Sequence, residues 1–146
     1  MAKLKLPKHM VFHHDLHLMV FRPRGRLTEK RILHDIAYLE DAEDKAKQPF
    51  NRFADTSLAD LSELTFNQIV RISLHRRLKY GDRPKIKSAL YVTTAEAMRI
   101  AKVHALMTGH SPIQVRIFEG LADAANWLGV SIEDLQMGGP GVKRTS

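Results

Sequence analysis

The chain has 146 residues, a formal net charge of +7 at neutral pH, and 44% hydrophobic residues. This length and composition predict one globular domain with a real core, and they exclude a disordered chain and a membrane protein. The sequence contains no cysteine, which excludes disulfide frameworks, thiol catalysis and cysteine metal sites. Without a secretory signal or a membrane-spanning apolar run, the expected location is cytoplasmic.

The first third of the chain predicts a β-hairpin followed by a helix. Residues 9–22 hold two short β-favouring runs around a polar centre, which places a turn near His14 and Asp15. Gly25 permits a positive φ and breaks the strand pattern. Thr28 can cap a helix that extends from Glu29 to about Lys47, because apolar residues recur there at intervals of three and four.

The middle of the chain predicts a short strand followed by a loop within "FNRFADTSL", and then a second helix. Thr65 and Gln68 form the Thr-x-x-Gln pattern of a capping box at the start of this helix. The spacing of residues predicts an inner face that consists of Ile69, Val70, Ser73, Leu74 and Leu78. The helix is expected to end near Gly81.

The last third predicts two more strand–helix units. The continuous apolar run "ALYV" indicates a strand covered on both sides, and Thr93 with Glu96 predicts a second capping box after it. The alternation in "PIQVRIF" predicts a further strand. A final amphipathic helix is expected to end at Gly129. Four of its residues are predicted to face the core: Leu121, Ala124, Ala125 and Leu128.

The resulting order is β-β-α-β-α-β-α-β-α. Such alternation predicts an α/β fold with a mixed, mainly parallel five-stranded sheet, in which the hairpin supplies an antiparallel edge. Residues 1–137 are expected to form this single domain. The glycine-rich segment 138–146 is expected to be a flexible tail, because its apolar content is too low for packing.

Four segments carry a resemblance to a known family: "FRPRGRLTEKRI", "NRFADTSLADLSELT", "KSALYV" and "VRIFEGLADAANWL". Over about residues 9–135 the chain resembles the STAS-like fold of bacterial anti-sigma factor antagonists, and more closely a divergent branch of small stand-alone proteins. The resemblance implies a regulatory domain without catalytic machinery or cofactor. Its implied partner is a protein or a small anionic or lipid-like ligand.

The resemblance also indicates which segment to consider as the site. In the antagonists a serine before the second helix is phosphorylated by a partner kinase. Here Phe66 and Asn67 stand where serines would, so this chain is predicted to be a non-phosphorylated variant. The predicted protein- or ligand-binding surface consists of Ser62, Thr65, Asn67, Arg71 and His75, with Ser57 and Asp60 shaping the loop. A homodimer through an edge strand or helix face is a further expectation.

A rival interpretation rests on basic residues. Arg71, His75 and Lys79 recur every four residues and so form one stripe on the second helix. The predicted basic patch continues along the chain through Arg76, Lys79, Arg83, Lys85 and Lys87. A second basic cluster comprises Arg22, Arg24, Arg26, Lys30 and Arg31. Such residues bind the phosphates of nucleic acid or anionic membranes, although few aromatic rings accompany them, and a solvated helix face is the alternative.

Three histidines, His13, His14 and His17, fall within five residues and suggest a transition-metal site. Neighbouring side chains of a strand point to opposite faces, so His13 and His14 are expected to diverge. Solvated or edge-strand histidines are the alternative interpretation, and no metal site was assigned.

Overall fold

The protein is described by a computed structural model that covers residues 6–136. Its strands are β1 (Met10–His13), β2 (Leu18–Phe21), β3 (Gly25–Arg26), β4 (Asn51–Asp55), β5 (Ala59–Asp60), β6 (Ile86–Tyr91) and β7 (Ile113–Phe118). Its helices are α1 (Glu29–Ala46), α2 (Phe66–Lys79), α3 (Ala95–Met107), α4 (Leu121–Leu128) and α5 (Ile132–Gln136). The segment predicted to be a flexible tail lies outside the described residues.

The main sheet has five strands in the order β1-β2-β4-β6-β7. β1 and β2 are antiparallel and joined by a single 3-10 turn over His14–Leu16, whereas the other neighbours are parallel. The prediction of a mixed, mainly parallel five-stranded α/β sheet is therefore confirmed. A two-residue parallel ladder between β3 and β5 was not predicted, because both strands lie in segments assigned to a break and a loop. Gly25 adopts φ +71° there, as its lack of a Cβ allows.

Helices cover both faces of the sheet. Val20, Phe53 and Ala89 point to the face that packs against α4 and α5. The opposite face packs against α1, α2 and α3, and it carries Met19, Arg52 and Ser88. The alternation of side chains along each strand accounts for this division. The polar residues on the second face are the first indication that its interior is not a uniformly apolar core.

Side-chain caps begin four of the helices, α1, α2, α3 and, through Ser131, α5. The hydroxyl of Thr28 accepts from the backbone N–H of Arg31, and Thr65 and Gln68 form the predicted capping box with distances of 3.2 and 3.0 Å. The predicted capping box at Thr93 is wrong. The cap is Thr94, which has an extended backbone and accepts from the N–H of Ala97 at 3.0 Å. Two adjacent threonines offered the same hydroxyl one residue apart, and the helix begins after the second.

The inner face of α2 also differs from its prediction. Leu78 is 83% exposed and Leu74 is 40% exposed, so neither belongs to the core. The buried residues of α2 are Ile69, Ile72, Ser73 and Arg76. These positions form one stripe along the helix. It differs from the predicted stripe in that Arg76 is buried and the two leucines are exposed.

Candidate ligand-binding cavity

A cavity of about 160 Å³ lies between the sheet and helices α1, α2 and α3, and it is partly open to solvent. Most of its lining is apolar, and every element around it contributes: Ile36, Leu61, Leu64, Ile72, Leu90 and Ile100. An apolar cavity of about 150 Å³ is large enough to bind benzene. The cavity therefore has room for the apolar part of a small molecule.

The lining contains Asp35 and Thr56, and four further polar residues interrupt its apolar surface: Arg52, Arg76, Ser88 and His104. We call them the polar lining. Arg52 and Ser88 are directly opposite each other on β4 and β6, while Arg76 and His104 approach from α2 and α3. All four are buried, with exposed fractions of 8% or less. Since burial of a charged group is costly unless it is paired, the partners of the two arginines decide what this region can do.

Arg52 is paired with Glu43, a fully buried carboxylate on α1. The Nη2 atom of Arg52 donates to Glu43 Oε2 at 2.6 Å, and the backbone N–H of Phe50 donates to the same oxygen at 2.7 Å. The hydroxyl of Tyr80 donates to the other oxygen, Oε1. Burial raises the pKa of Tyr80 to about 12, so its proton stays on the phenol. Both carboxylate oxygens are therefore occupied, and Glu43 balances the charge of one arginine.

Among residues 6–136, Arg76 forms no hydrogen bond or ion pair with a carboxylate and instead begins a chain of neutral acceptors. Its Nη1 atom lies 3.3 Å from His104 Nε2, and His104 Nδ1 lies 2.7 Å from Ser73 Oγ. Ser73 donates its single hydroxyl proton to the carbonyl of Ile69 at 2.8 Å, so it accepts from His104 Nδ1. The Nε2 atom of His104 is then unprotonated and accepts from Arg76, a tautomer assigned from this hydrogen-bond network.

The charge states of these groups follow from their burial. Burial lowers the pKa of His104 to about 3, with the positive charges of Arg76 and Arg52 adding to the effect, so the imidazole is neutral at pH 7. Burial and the charge of Arg52 lower the pKa of Arg76 to about 9, which leaves the guanidinium charged at pH 7. The polar lining therefore holds two positive charges against the single negative charge of Glu43.

Two buried donors remain unused in this region. Within the described part of the chain, neither Arg52 Nη1 nor Arg76 Nε has a hydrogen-bond partner. Asp35 also lines the cavity, but both of its oxygens lie 2.8 Å from His9 Nε2. Buried polar atoms are nearly always satisfied in folded proteins, so two unsatisfied donors beside a cavity require an acceptor from outside the chain, either a water molecule or an anion.

The five residues predicted as a binding surface lie on the exposed side of the same region. Ser62, Thr65 and Asn67 are exposed, and Thr65 serves the helix cap. Ser57 and Ser62 each donate a backbone N–H to the aspartate two residues earlier, at 2.9 Å. Hydrogen bonds from Ser62 lower the pKa of Asp60. These contacts explain the polarity of the loop by local turn formation.

The basic stripe is largely paired with acidic residues of α1. Arg71 forms a two-bond pair with Glu29, His75 Nε2 lies 3.0 Å from Glu40, and Lys79 and Arg83 both contact Asp44. Lys85 is exposed, and Lys87 donates to the carbonyl of Trp127 while lying over its ring. The predicted place of Arg76 in the exposed patch is wrong, because its guanidinium is buried beside the cavity.

Residues of the second basic cluster also have partners. Arg22 pairs with Asp55 at 3.6 Å and Arg26 pairs with Glu63 at 3.0 Å. Arg31 donates to the carbonyls of Arg24 and Arg26. Pairing therefore leaves fewer of the 23 lysine and arginine side chains free than the sequence alone indicates, while the net charge stays at +7.

The three clustered histidines do not converge. His13 is buried on β1, His14 is exposed, and His17 has a left-handed backbone with its Nδ1 atom 2.5 Å from Gln48 Nε2. In the part of the chain that the structure describes, no group of three or more histidine, cysteine, aspartate or glutamate residues could hold a metal ion. The rings of His14 and His17 lie 6.2 Å apart at the turn, whereas His13 is buried on the strand before it.

The sequence interpretation missed Arg52, His104 and the buried role of Arg76. A signal for two of them was present. Arg76 follows Ile69 by seven residues and Ile72 by four, and His104 follows Ile100 by four, so each polar residue continues an apolar stripe. A polar residue at such a position is the informative exception, because it must be buried together with the stripe.

Comparison with known proteins adds no family to this geometry. No family model, curated protein or solved structure matches the chain. Over residues 6–136, no helix combines the length and the apolar character that a membrane crossing requires.

Proposed function

We propose that this chain is a STAS-like, non-catalytic regulatory module of the cytoplasm that binds a small anionic, lipid-like ligand in the cavity beneath α2. One observation carries the proposal: an apolar cavity is lined by two buried guanidinium groups, each with a donor that no described residue satisfies. A ligand with an apolar body and an acidic group would fill the cavity and satisfy both donors.

Energetics support a ligand over a purely structural role. A buried cation without an ionic partner destabilises the folded state by on the order of several kcal/mol. An apolar residue at position 76 would fill the same space without this cost. Strain of this kind is often retained at binding sites, where a ligand compensates for it.

The Ser73–His104 pair does not support a hydrolase. A catalytic histidine must take a proton from the serine hydroxyl. Here Ser73 donates that proton to the carbonyl of Ile69, and the lone pair of His104 faces Arg76. Ser73 is also completely buried, which keeps a substrate away from its oxygen. The pair therefore serves to orient Arg76.

A regulatory role follows from the position of the cavity. Leu61, Leu64 and Ile69 line it from inside, and they alternate in sequence with the exposed residues Ser62, Thr65 and Asn67. A ligand that contacts the inner residues would restrict the loop and the first turn of α2. The surface that a protein partner would read, including a second copy of this chain, would then depend on occupancy of the cavity.

The alternative of a nucleic-acid or anionic-membrane binder has less support. Glu29, Glu40 and Asp44 of α1 pair with all three residues of the basic stripe, and Asp44 also contacts Arg83 of the basic patch. Counterion release requires basic residues that are free to replace salt at the phosphates. Binding to a random DNA duplex that weakens steeply between 50 and 200 mM salt, an effect of up to about 10³–10⁵ for 6–10 phosphate contacts, would favour this alternative.

Titration of the ¹⁵N-labelled protein with hexanoate and with hexyl phosphate tests the proposal. We expect at least one of these probes to shift amide resonances of residues that line the cavity. Ala101→Leu adds three carbons to a lining residue of α3 and should abolish the shifts. Ala105→Leu, one turn later and outside the cavity, is the matched control and should bind as the wild type does. Absence of saturable shifts with both probes would contradict the proposal.

A further inference from the structure

The charge balance around the cavity determines how much negative charge a ligand should carry. Arg52 and Arg76 supply two positive charges, and Glu43 removes one of them. His104 is neutral, because its two nitrogens donate to Ser73 and accept from Arg76. Asp35 is paired with His9. This region already holds the carboxylates of Glu43 and Asp35, so a monoanion fits it better than a phosphate with a charge of about −1.5 to −2.

The positions of the free donors determine the shape of the anionic group. Arg76 uses Nη1 for His104, which leaves Nε unused, and Arg52 uses Nη2 and Nε, which leaves Nη1 unused. Two N–H groups from neighbouring guanidiniums suit the two oxygens of a planar carboxylate.

The apolar part of the cavity limits the body of the ligand. Its volume of about 160 Å³ is close to that of an apolar cavity that binds benzene, about 150 Å³. The body is surrounded by aliphatic side chains of α1, α2, α3 and the sheet, including Ile36, Ile72 and Ile100. One ring or one short branched chain fills such a space, whereas a long acyl chain exceeds it.

We propose that the ligand is a small monocarboxylic acid with a single ring or short branched chain, whose carboxylate binds Arg76 Nε and Arg52 Nη1. This assignment rests on the proposed function, since it names the chemical class of the ligand for the same cavity. Recognition by this chain then depends on one charge, two oxygens and one compact apolar group.

The test compares three probes that share a ring and differ in the polar group: benzoate, benzyl alcohol and phenyl phosphate. Each is titrated into the wild type, Arg76→Met and Arg77→Met, and binding is measured by isothermal titration calorimetry with amide shifts as a second readout. Arg77 is exposed and adjacent to Arg76 in sequence, so Arg77→Met is the matched control for loss of one charge on α2. The comparison among probes in the wild type does not depend on folding of any variant.

We expect benzoate to bind the wild type at least about tenfold more tightly than either other probe, since charge-assisted hydrogen bonds are the strong ones. Arg76→Met should remove this preference, and Arg77→Met should keep it. Equal binding of benzoate and benzyl alcohol to the wild type would overturn the carboxylate assignment and leave a binding cavity. Tighter binding of phenyl phosphate would overturn the monoanion assignment. If no probe binds while hexanoate or hexyl phosphate does, the size limit is wrong and the proposed function stands.

Discussion

Replacement of Arg76 by methionine removes a buried charge that the fold does not balance. The lowering of the pKa of Arg76 from its usual value to about 9 means that the folded state disfavours the charged form by on the order of 5 kcal/mol. The variant also leaves His104 Nε2 without its donor, which costs about 1–3 kcal/mol. Methionine keeps the apolar stem of the side chain within the cavity wall. We therefore expect Arg76→Met to raise the free energy of unfolding by about 2–4 kcal/mol at pH 7.

The pH dependence of the free energy of unfolding tests the same argument independently. Between pH 9 and 12.5 the unfolded state binds more protons at Arg76 than the folded state, so the contribution of Arg76 to stability rises with pH in that window. Tyr80 opposes this rise equally in the wild type and in the variant. From pH 8 to pH 10 the wild type should gain about 1 kcal/mol relative to Arg76→Met. Tyr80, with its pKa raised to about 12, keeps its proton in the folded protein over this range.

Urea unfolding at pH 7, 8 and 10, followed by circular dichroism, measures both effects. Arg77→Met is the control, and as an exposed substitution it should change stability by no more than about 0.5 kcal/mol. A destabilised Arg76→Met protein with no difference in pH dependence would refute the reasoning. Arg76 would then contribute to stability without a ligand, and the argument for an external anion would lose its energetic basis.

Three further substitutions test the interior and its boundary. Acidification from pH 6.5 to 4.5 should destabilise the wild type more than His104→Asn, by up to about 2–3 kcal/mol. The reason is that only the unfolded state protonates this imidazole until the pH approaches 3. Chemical unfolding at both pH values measures the effect, and an equal loss of stability in both proteins would contradict it. Glu43→Ala should lower the free energy of unfolding by about 3–5 kcal/mol, because it leaves Arg52 and the hydroxyl of Tyr80 buried without their partner. A thermal midpoint close to that of the wild type would show that the pair is dispensable. Thr65→Ala should cost about 1 kcal/mol through loss of the cap of α2, whereas Thr65→Ser should be nearly neutral; equal loss in both variants would argue against capping.

Sequence patterns could predict the elements whose signals are local. The hairpin turn at His14, the cap at Thr28 and the capping box at Thr65 each depend on a few neighbouring residues, and all three are confirmed. The five-stranded sheet followed from the alternation of strands and helices. The wrong start of α3 arose because Thr93 and Thr94 carry the same capping signal, which only the tertiary position of the strand end resolves.

The cavity could not be predicted because its polar lining joins four distant segments. Arg52, Arg76, Ser88 and His104 come from two strands and two helices, and no short motif connects them. The prediction placed Arg76 in the basic patch on charge alone, although its spacing from Ile69 and Ile72 matched the buried face of the helix. The pairing of the remaining basic residues with α1 was equally invisible, since it depends on how α1 and α2 lie against each other.

A crystal structure of the protein grown with hexanoate tests the central claim most directly. We predict the carboxylate within hydrogen-bond distance, about 2.7–2.9 Å, of Arg76 Nε and Arg52 Nη1, with the chain directed toward Ile72 and Ile100. Hexanoate bound only at the exposed loop around Ser62, or only along the basic stripe from Arg71 to Lys87, would contradict the claim.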